Sequence, residues 1–232
     1  MNIQIDDIHF INLQSLVLRH NLDVMHIKKN VCDSIIGTML NDKAKSKDGL
    51  KSRKDLKVMK IRSALHPQKR RNGHFLPAAP YTLSKVEKKL FCQRIADLKL
   101  PDGYGSNIAK CVDIKECKIM GLKSHDCHML IQQIMPVALR GLLPKGPRIA
   151  IFRLCVFFKE ICKTTIDRNQ VEKLEEEVVE TLCMLERFFP PSFFDIMVHL
   201  VIHIGREVRL CGLVIYRWQY PVERYIYSIA DI

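Results

Sequence analysis

Asp167-Arg168-Asn169-Gln170-Val171-Glu172-Lys173-Leu174-Glu175-Glu176-Glu177-Val178-Val179-Glu180-Thr181-Leu182-Cys183-Met184-Leu185-Glu186-Arg187-Phe188 carries an apolar residue every three or four positions. The stripe is Val171, Leu174, Val178, Leu182 and Leu185, and Glu172, Glu175, Glu176 and Glu180 form the opposite face. That period predicts an amphipathic helix, with Asp167 as its N-cap and Pro190-Pro191 as the break beyond it. A helix with one apolar stripe has to bury it against other elements, so the neighbouring segments decide the fold class.

Working outward, the upstream neighbours also read as helices. Pro147 is well placed as the first residue of a helix over 147–164. Residues 149–158 within it are β-branched and aromatic enough for a buried strand, but the proline start and the length favour a buried helix. Ser124 caps an expected helix over 125–135, with Asp126 favourably placed in its first turn, and Pro136 kinks or restarts it. Ser84 and Glu87 form a capping box opening a helix to about Leu98, and Pro101-Asp102-Gly103 stops it. Downstream, Ser192 with Asp195 opens a long helix to about Cys211, ended by Gly212.

The N-terminal part reads differently. Val24, Ile27, Val31, Ile35 and Met39 predict one helix over 23–40, slightly weakened by Gly37. The stretch 42–71 then carries twelve basic residues against Asp42, Asp48 and Asp55, which is most of the chain's net charge of +12. With Asn72-Gly73 and Pro77-Ala78-Ala79-Pro80 after it, the segment reads as an exposed basic linker with one short helix near 51–59. The expected fold is therefore mainly α: an irregular helical domain of about five to seven helices over 81–232, preceded by the basic linker 42–80 and one N-terminal helix within 1–41.

Composition narrows the class. With 232 residues, 47% hydrophobic and 27% charged, the chain can bury a core and is not wholly disordered. The nine cysteines include no C-x-x-C pair, which excludes a zinc ribbon or thioredoxin motif. The start, Met1-Asn2-Ile3-Gln4-Ile5-Asp6-Asp7, lacks signal-peptide order, and no apolar run approaches a membrane span. A soluble, reducing, non-secreted setting is expected. The positive charge points to acidic partners, nucleic acid first.

Two long stretches resemble the C-terminal half of plant CACTA-type (En/Spm) transposases. One is Arg19-His20-Asn21-Leu22-Asp23-Val24-Met25-His26-Ile27-Lys28-Lys29-Asn30-Val31-Cys32-Asp33-Ser34-Ile35-Ile36-Gly37, near the end of the family's transposase domain. The other runs from Gly121-Leu122-Lys123-Ser124-His125-Asp126-Cys127-His128 to Pro221-Val222-Glu223-Arg224-Tyr225 and includes Phe188-Phe189-Pro190-Pro191-Ser192-Phe193-Phe194-Asp195. It is similar to the domain of unknown function that follows the transposase domain. Lys28 departs from the pattern, standing where the family usually has Glu, and Gly146-Pro147 replaces a more helix-friendly pair.

The resemblance implies a ribonuclease-H-like cut-and-paste enzyme as ancestor, in which three acidic residues hold two divalent metals. Only 18 residues precede Arg19, so the expectation is a truncated, non-catalytic fragment. Residues 1–41 would be the transposase remnant, 42–80 the linker and 81–232 the accessory domain. The expected role is contact with DNA or protein, with DNA and other transposase chains as partners, in the nucleus. No cofactor is expected, Mg²⁺ belonging only to an intact transposase, and neither a membrane nor a small-molecule substrate. The alternative is a split transposase or nuclease subunit, active only with a chain supplying the missing acidic residues.

Candidate site residues follow. Asp23 and His26 match the family's Asp-x-x-His signature and, three apart, share a helix face; with partner carboxylates missing, a residual structural helix with solvated Lys28 and Lys29 is favoured. The run Ser124 to His128 is no evidence for a hydrolase, because a triad needs spatial rather than sequential neighbours. His125 and His128 could bind a metal with Cys127, against the plainer reading of a capped helix start. His199 and His203, four apart, suit zinc ligands, but apolar Met197, Val201 and Ile204 favour a core or interface pair. Lys51, Arg53, Lys54, Lys57, Lys60, Arg62, Lys69, Arg70 and Arg71 can bind phosphates non-specifically, while the absence of an aromatic residue in 42–71 speaks against single-strand stacking. Trp218, Tyr220 and Tyr225 with Arg217 and Arg224 read as an aromatic cluster packed on the last helix.

Overall fold

The structure is a computed structural model that describes residues 21–71, 73–98 and 107–218. It is mainly helical, as the periodicity predicts. The helices are α1 (Val24–Leu40), α2 (Leu50–Val58), α3 (Lys85–Ala96), α4 (Ser124–Met129), α5 (Met135–Ala138), α6 (Lys145–Ile161), α7 (Arg168–Glu186) and α8 (Ile196–Cys211). Two antiparallel ribbons interrupt them: β1 (Gln68–Arg70) with β2 (Gly73–Phe75), and β3 (Val112–Asp113) with β4 (Lys118–Ile119). The expected stop at Pro101-Asp102-Gly103 lies outside the described residues.

Helices α6, α7 and α8 pack consecutively, and the predicted stripe of α7 is buried along its whole length. Residues 149–158 are helical, which settles the strand alternative. Arg153, the one charge in that apolar run, reaches Glu180 on α7 at 2.8 Å. Helix α8 lies close enough to α7 that a Cβ on Gly205 would meet Glu175 Cγ at 2.4 Å. Glu175, expected on the outer face of α7, is instead half-buried and pairs with Arg209 of α8 at 2.9 Å. Asp195 caps α8, its Oδ1 accepting from the Met197 and Val198 N–H groups at 3.0 and 3.2 Å. Ser192 lies outside the helix and does not cap it.

The 124–138 stretch is one continuous helical rod with a π turn over Leu130–Ile134 joining α4 to α5. Pro136 has no N–H and its ring would crowd a carbonyl one turn back; the wider turn just before it relieves both problems. The start of α4 also differs from expectation. Lys123 is the N-cap residue, and Asp126 Oδ2 accepts from its backbone N–H at 2.8 Å. Ser124 sits inside the first turn.

Helix α1 is the main departure from the expected organisation. It is buried almost all round, from Val24 and Met25 through Val31, Cys32 and Ile35 to Met39 and Leu40, and packs against α4 and α8. A helix apolar on every side belongs in the middle of a core. The boundary at 41/42 therefore separates no core: α1 shares one hydrophobic cluster with residues up to Val214. Gly37, which weakens α1 on propensity, is required by packing. A Cβ there would meet Lys45 Cβ at 2.6 Å and its backbone at 2.8–2.9 Å, where the chain turns back after the left-handed Asn41.

The segment 42–80 is not solvated along its length either. Leu56, Leu65 and Ala79 enter the same cluster. Tyr81 stacks on Phe189 at 4.7 Å, and Phe189 packs on Phe193 at 4.4 Å. Six polar contacts fasten the segment to the corner between α7 and α8. Ser192 Oγ donates to the Lys47 carbonyl at 2.6 Å and lies 2.8 Å from Ser52 Oγ. Lys47 pairs with Asp195 at 2.8 Å. Arg62 donates to the Glu186, Phe188 and Phe189 carbonyls at the C-terminal end of α7, where a cation also suits the helix dipole.

Candidate nucleic-acid interface

The basic segment splits into an inward and an outward set. Arg53 is 2% exposed. Its guanidinium forms a buried two-pronged pair with the Asp48 carboxylate, and Nη1 donates to the Leu65 carbonyl at 3.0 Å. Arg62 is committed to the end of α7, Lys45 to Asp33 at 2.9 Å, and Lys47 to Asp195. Arg53 and Arg62 therefore leave the phosphate-binding set, because burial and internal partners take up their donors.

The remaining candidates point outward. On α2, Ser52, Arg53 and Leu56 face the core, so Lys51, Lys54 and Lys57 occupy the opposite surface, and Lys60 follows in the next turn. Lys69, Arg70 and Arg71 sit on the β1–β2 ribbon and its turn. All seven are exposed, and none has an ion-pair partner among the described residues. Arg70 lies over the Phe75 ring at 4.2 Å, and that ring is itself exposed. Phe75 lies just beyond the basic run 42–71, although Asn72-Gly73 before it is a hairpin signal.

The other candidates are placed as follows. Asp23 is the N-cap of α1, its Oδ1 accepting from the His26 N–H at 3.0 Å, while the His26 side chain is exposed. His199 and His203 are exposed with Nε2 atoms 3.2 Å apart, on the side of α8 away from Val201, Ile204 and Val208. This corrects the core-pair reading: their apolar neighbours line the other face. Among the described residues, no three His, Cys, Asp or Glu side chains are grouped to hold a metal. Cys127 points into the core beside Cys32, away from the stacked His125 and His128 rings, whose centroids are 6.3 Å apart. Trp218 packs edge-on against His128 at 5.1 Å. Tyr220, Arg224 and Tyr225 lie outside the described residues, as do Arg19 and His20.

Lys28 is not solvated. It is 1% exposed, with Nζ 2.6 Å from His128 Nδ1, 3.2 Å from Cys162 Sγ and 5.8 Å from the Phe158 ring centroid. Burial lowers its pKa below the usual lysine range, partly opposed by Cys162. Burial, the Lys28 charge and His125 together hold His128 down at about 3, so its ring is neutral at pH 7. The sequence carries no signal for this cluster, since its members are 100 and 134 positions apart. The same is true of a cavity of about 350 Å³ between α5 and α6, lined by Pro136, Leu139, Arg140, Arg148, Ile149 and Phe152 among others. It shares no lining residue with the basic segment.

Fold and site thus define a mainly helical protein with an outward set of cations that have no ion-pair partner among the described residues. A family model described as a domain of unknown function, DUF4218, matches residues 161–232, which include α7, the Pro190-Pro191 corner and α8. No curated protein and no solved structure matches the chain. Among the described residues, no helix is long and apolar enough to cross a membrane.

Proposed function

We propose that the chain is a non-catalytic, DNA-contacting part of a CACTA-type transposon-derived protein of plants, acting in the nucleus with other transposase chains. The observation that carries the DNA contact is the exposed set Lys51, Lys54, Lys57, Lys60, Lys69, Arg70 and Arg71, without ion-pair partners among the described residues. Such a set neutralises phosphates without reading bases, so binding is sequence-independent and releases counterions. Transposon ancestry is supported by the family matched over 161–232, which in plants is associated with transposase-derived proteins, and by the resemblance of residues 19–37 to a transposase segment.

The test is fluorescence anisotropy with a short duplex of arbitrary sequence, in the presence and absence of Mg²⁺. The expected result is binding that weakens about 10³-fold or more between roughly 50 and 200 mM salt, if six or more phosphates are engaged, with the duplex left uncut. Absence of binding at low salt contradicts the DNA contact. Cleavage of the duplex contradicts the non-catalytic part of the reading.

A further inference from the structure

We infer that Lys28 and Cys162 form an oxidative cross-link in which one oxygen atom bridges Nζ and Sγ. The two atoms sit 3.2 Å apart, one on α1 and the other just past the end of α6. An inserted oxygen fits that separation with little movement of either backbone, whereas a direct S–N bond requires the two elements to close to covalent distance. His128 Nδ1, 2.6 Å from Nζ, accepts one of its hydrogens and holds the amine in place. No carboxylate among the described residues pairs with Lys28. The remaining neighbours that act on it are the thiols of Cys162 and Cys32 and the Phe158 ring, 5.8 Å from Nζ. Burial therefore raises the share of the neutral amine, which is the nucleophilic form.

The other buried thiols are poorer candidates. Cys32 is held well above the usual thiol range by its hydrogen bond to Cys127 and then by burial. Cys155 is pushed up by burial. Both are enclosed, at 0% and 1% exposure, whereas Cys162 is 9% exposed and lies where α6 ends. Of the three thiols it is thus the most open to a molecule as small as dioxygen.

The chemistry balances with dioxygen as oxidant. The thiol S–H bond and one amine N–H bond break. One oxygen atom becomes bonded to both Sγ and Nζ, and the other leaves as water carrying the two hydrogens. Sulfur and nitrogen each lose two electrons, and dioxygen takes up all four. Two equivalents of a dithiol reverse the change, returning thiol, amine and water.

The bridge closes a loop of 134 residues and ties the central helix to the start of the segment matched by the family model. Cross-linking a long loop restricts the unfolded chain, so the oxidised form melts at higher temperature.

The test uses the full chain, prepared reduced and then exposed to air-saturated buffer, followed by peptide mapping. The expected product joins the Lys28 peptide to the Cys162 peptide with a mass about 14 Da above their sum, resists tryptic cleavage at Lys28, and disappears with dithiothreitol. The same sample shows a raised Tm. Cys162→Ala abolishes both changes while keeping the helical circular dichroism of the parent chain. Mapping the parent chain decides the matter even if the variant fails to fold. Cys162 recovered as a free thiol, a sulfinic acid or a disulfide, with Lys28 still cleaved, overturns the inference.

Discussion

Helix α1 buries Lys28 with no carboxylate paired to it among the described residues, whereas α2 buries Arg53 against Asp48. Both cations lie at the inner face of their helix, yet their surroundings are opposite in kind. Asp48 gives the guanidinium two matched acceptors, and the Leu65 carbonyl takes a third donor. Lys28 has a neutral imidazole, a thiol and an aromatic ring, so the fold lowers its pKa rather than neutralising its charge with an anion. The contrast shows why net charge is a poor guide to a surface. A lysine on the core helix and an arginine in the most basic stretch both leave the surface, while Lys43 and the seven outward candidates of that stretch stay on it.

The largest expected effect tests the paired cation. Asp48→Ala strands Arg53 in the core and costs about 3–5 kcal/mol, read as a fall in the denaturant midpoint with an unchanged slope. Lys28→Met works in the other direction. A side chain of similar length without a charge raises stability at pH 7 by about 1–2 kcal/mol. If Lys28→Met instead destabilises as strongly as Asp48→Ala, the two cations are held alike and the contrast fails.

Titration sharpens the same comparison. The folded-state pKa of Lys28 lies below its unfolded value of 10.5. The unfolded chain therefore binds more protons between those two values, and stability rises with pH across that window. His128 has the same sign at lower pH. Its folded value of about 3 lies below 6.5, so its contribution is present above about 6.5 and is lost as pH falls toward 3. Unfolding midpoints at pH 5 and pH 7 should differ in that sense, and His128→Gln should reduce the difference.

A smaller effect concerns the fastening of the basic segment. Ser192→Ala removes the bonds to the Lys47 carbonyl and Ser52 and lowers stability by about 1 kcal/mol. Hydrogen exchange should then speed up in α2 before α7. Uniform acceleration across both helices contradicts local fastening.

Much of the architecture was legible in the sequence because its signals are local. Helices α3, α7 and α8 announce themselves through the Ser84–Glu87 box, the Val171–Leu185 stripe and the Ser192–Asp195 pair, of which Asp195 rather than Ser192 is the cap. The role of α1 was only half legible. Its apolar spacing predicts the helix, but burial almost all round depends on α4 and α8, which lie far along the chain. The outward lysines of α2 were legible as charge, yet Arg53 and Arg62 looked identical to them. What distinguishes these two is Asp48 beneath one and the end of α7, 124 to 127 positions on, beneath the other. His199 and His203 show the opposite error. Their apolar neighbours belong to the other side of α8, and a four-residue spacing alone does not say which side faces water.

The central claim is that one basic segment fastens the helical body with its inner side chains and offers its outer ones to DNA. The most direct measurement is the salt dependence of duplex binding for the parent chain, for Lys51→Gln/Lys54→Gln/Lys57→Gln/Lys60→Gln together, and for Arg62→Gln. The account predicts that the fourfold variant keeps its stability to within about 0.5 kcal/mol and loses up to about 0.9 of log–log slope for each phosphate contact removed. Arg62→Gln should lose stability and keep the slope of the parent. An unchanged slope in the fourfold variant, or a slope lost in Arg62→Gln, contradicts it.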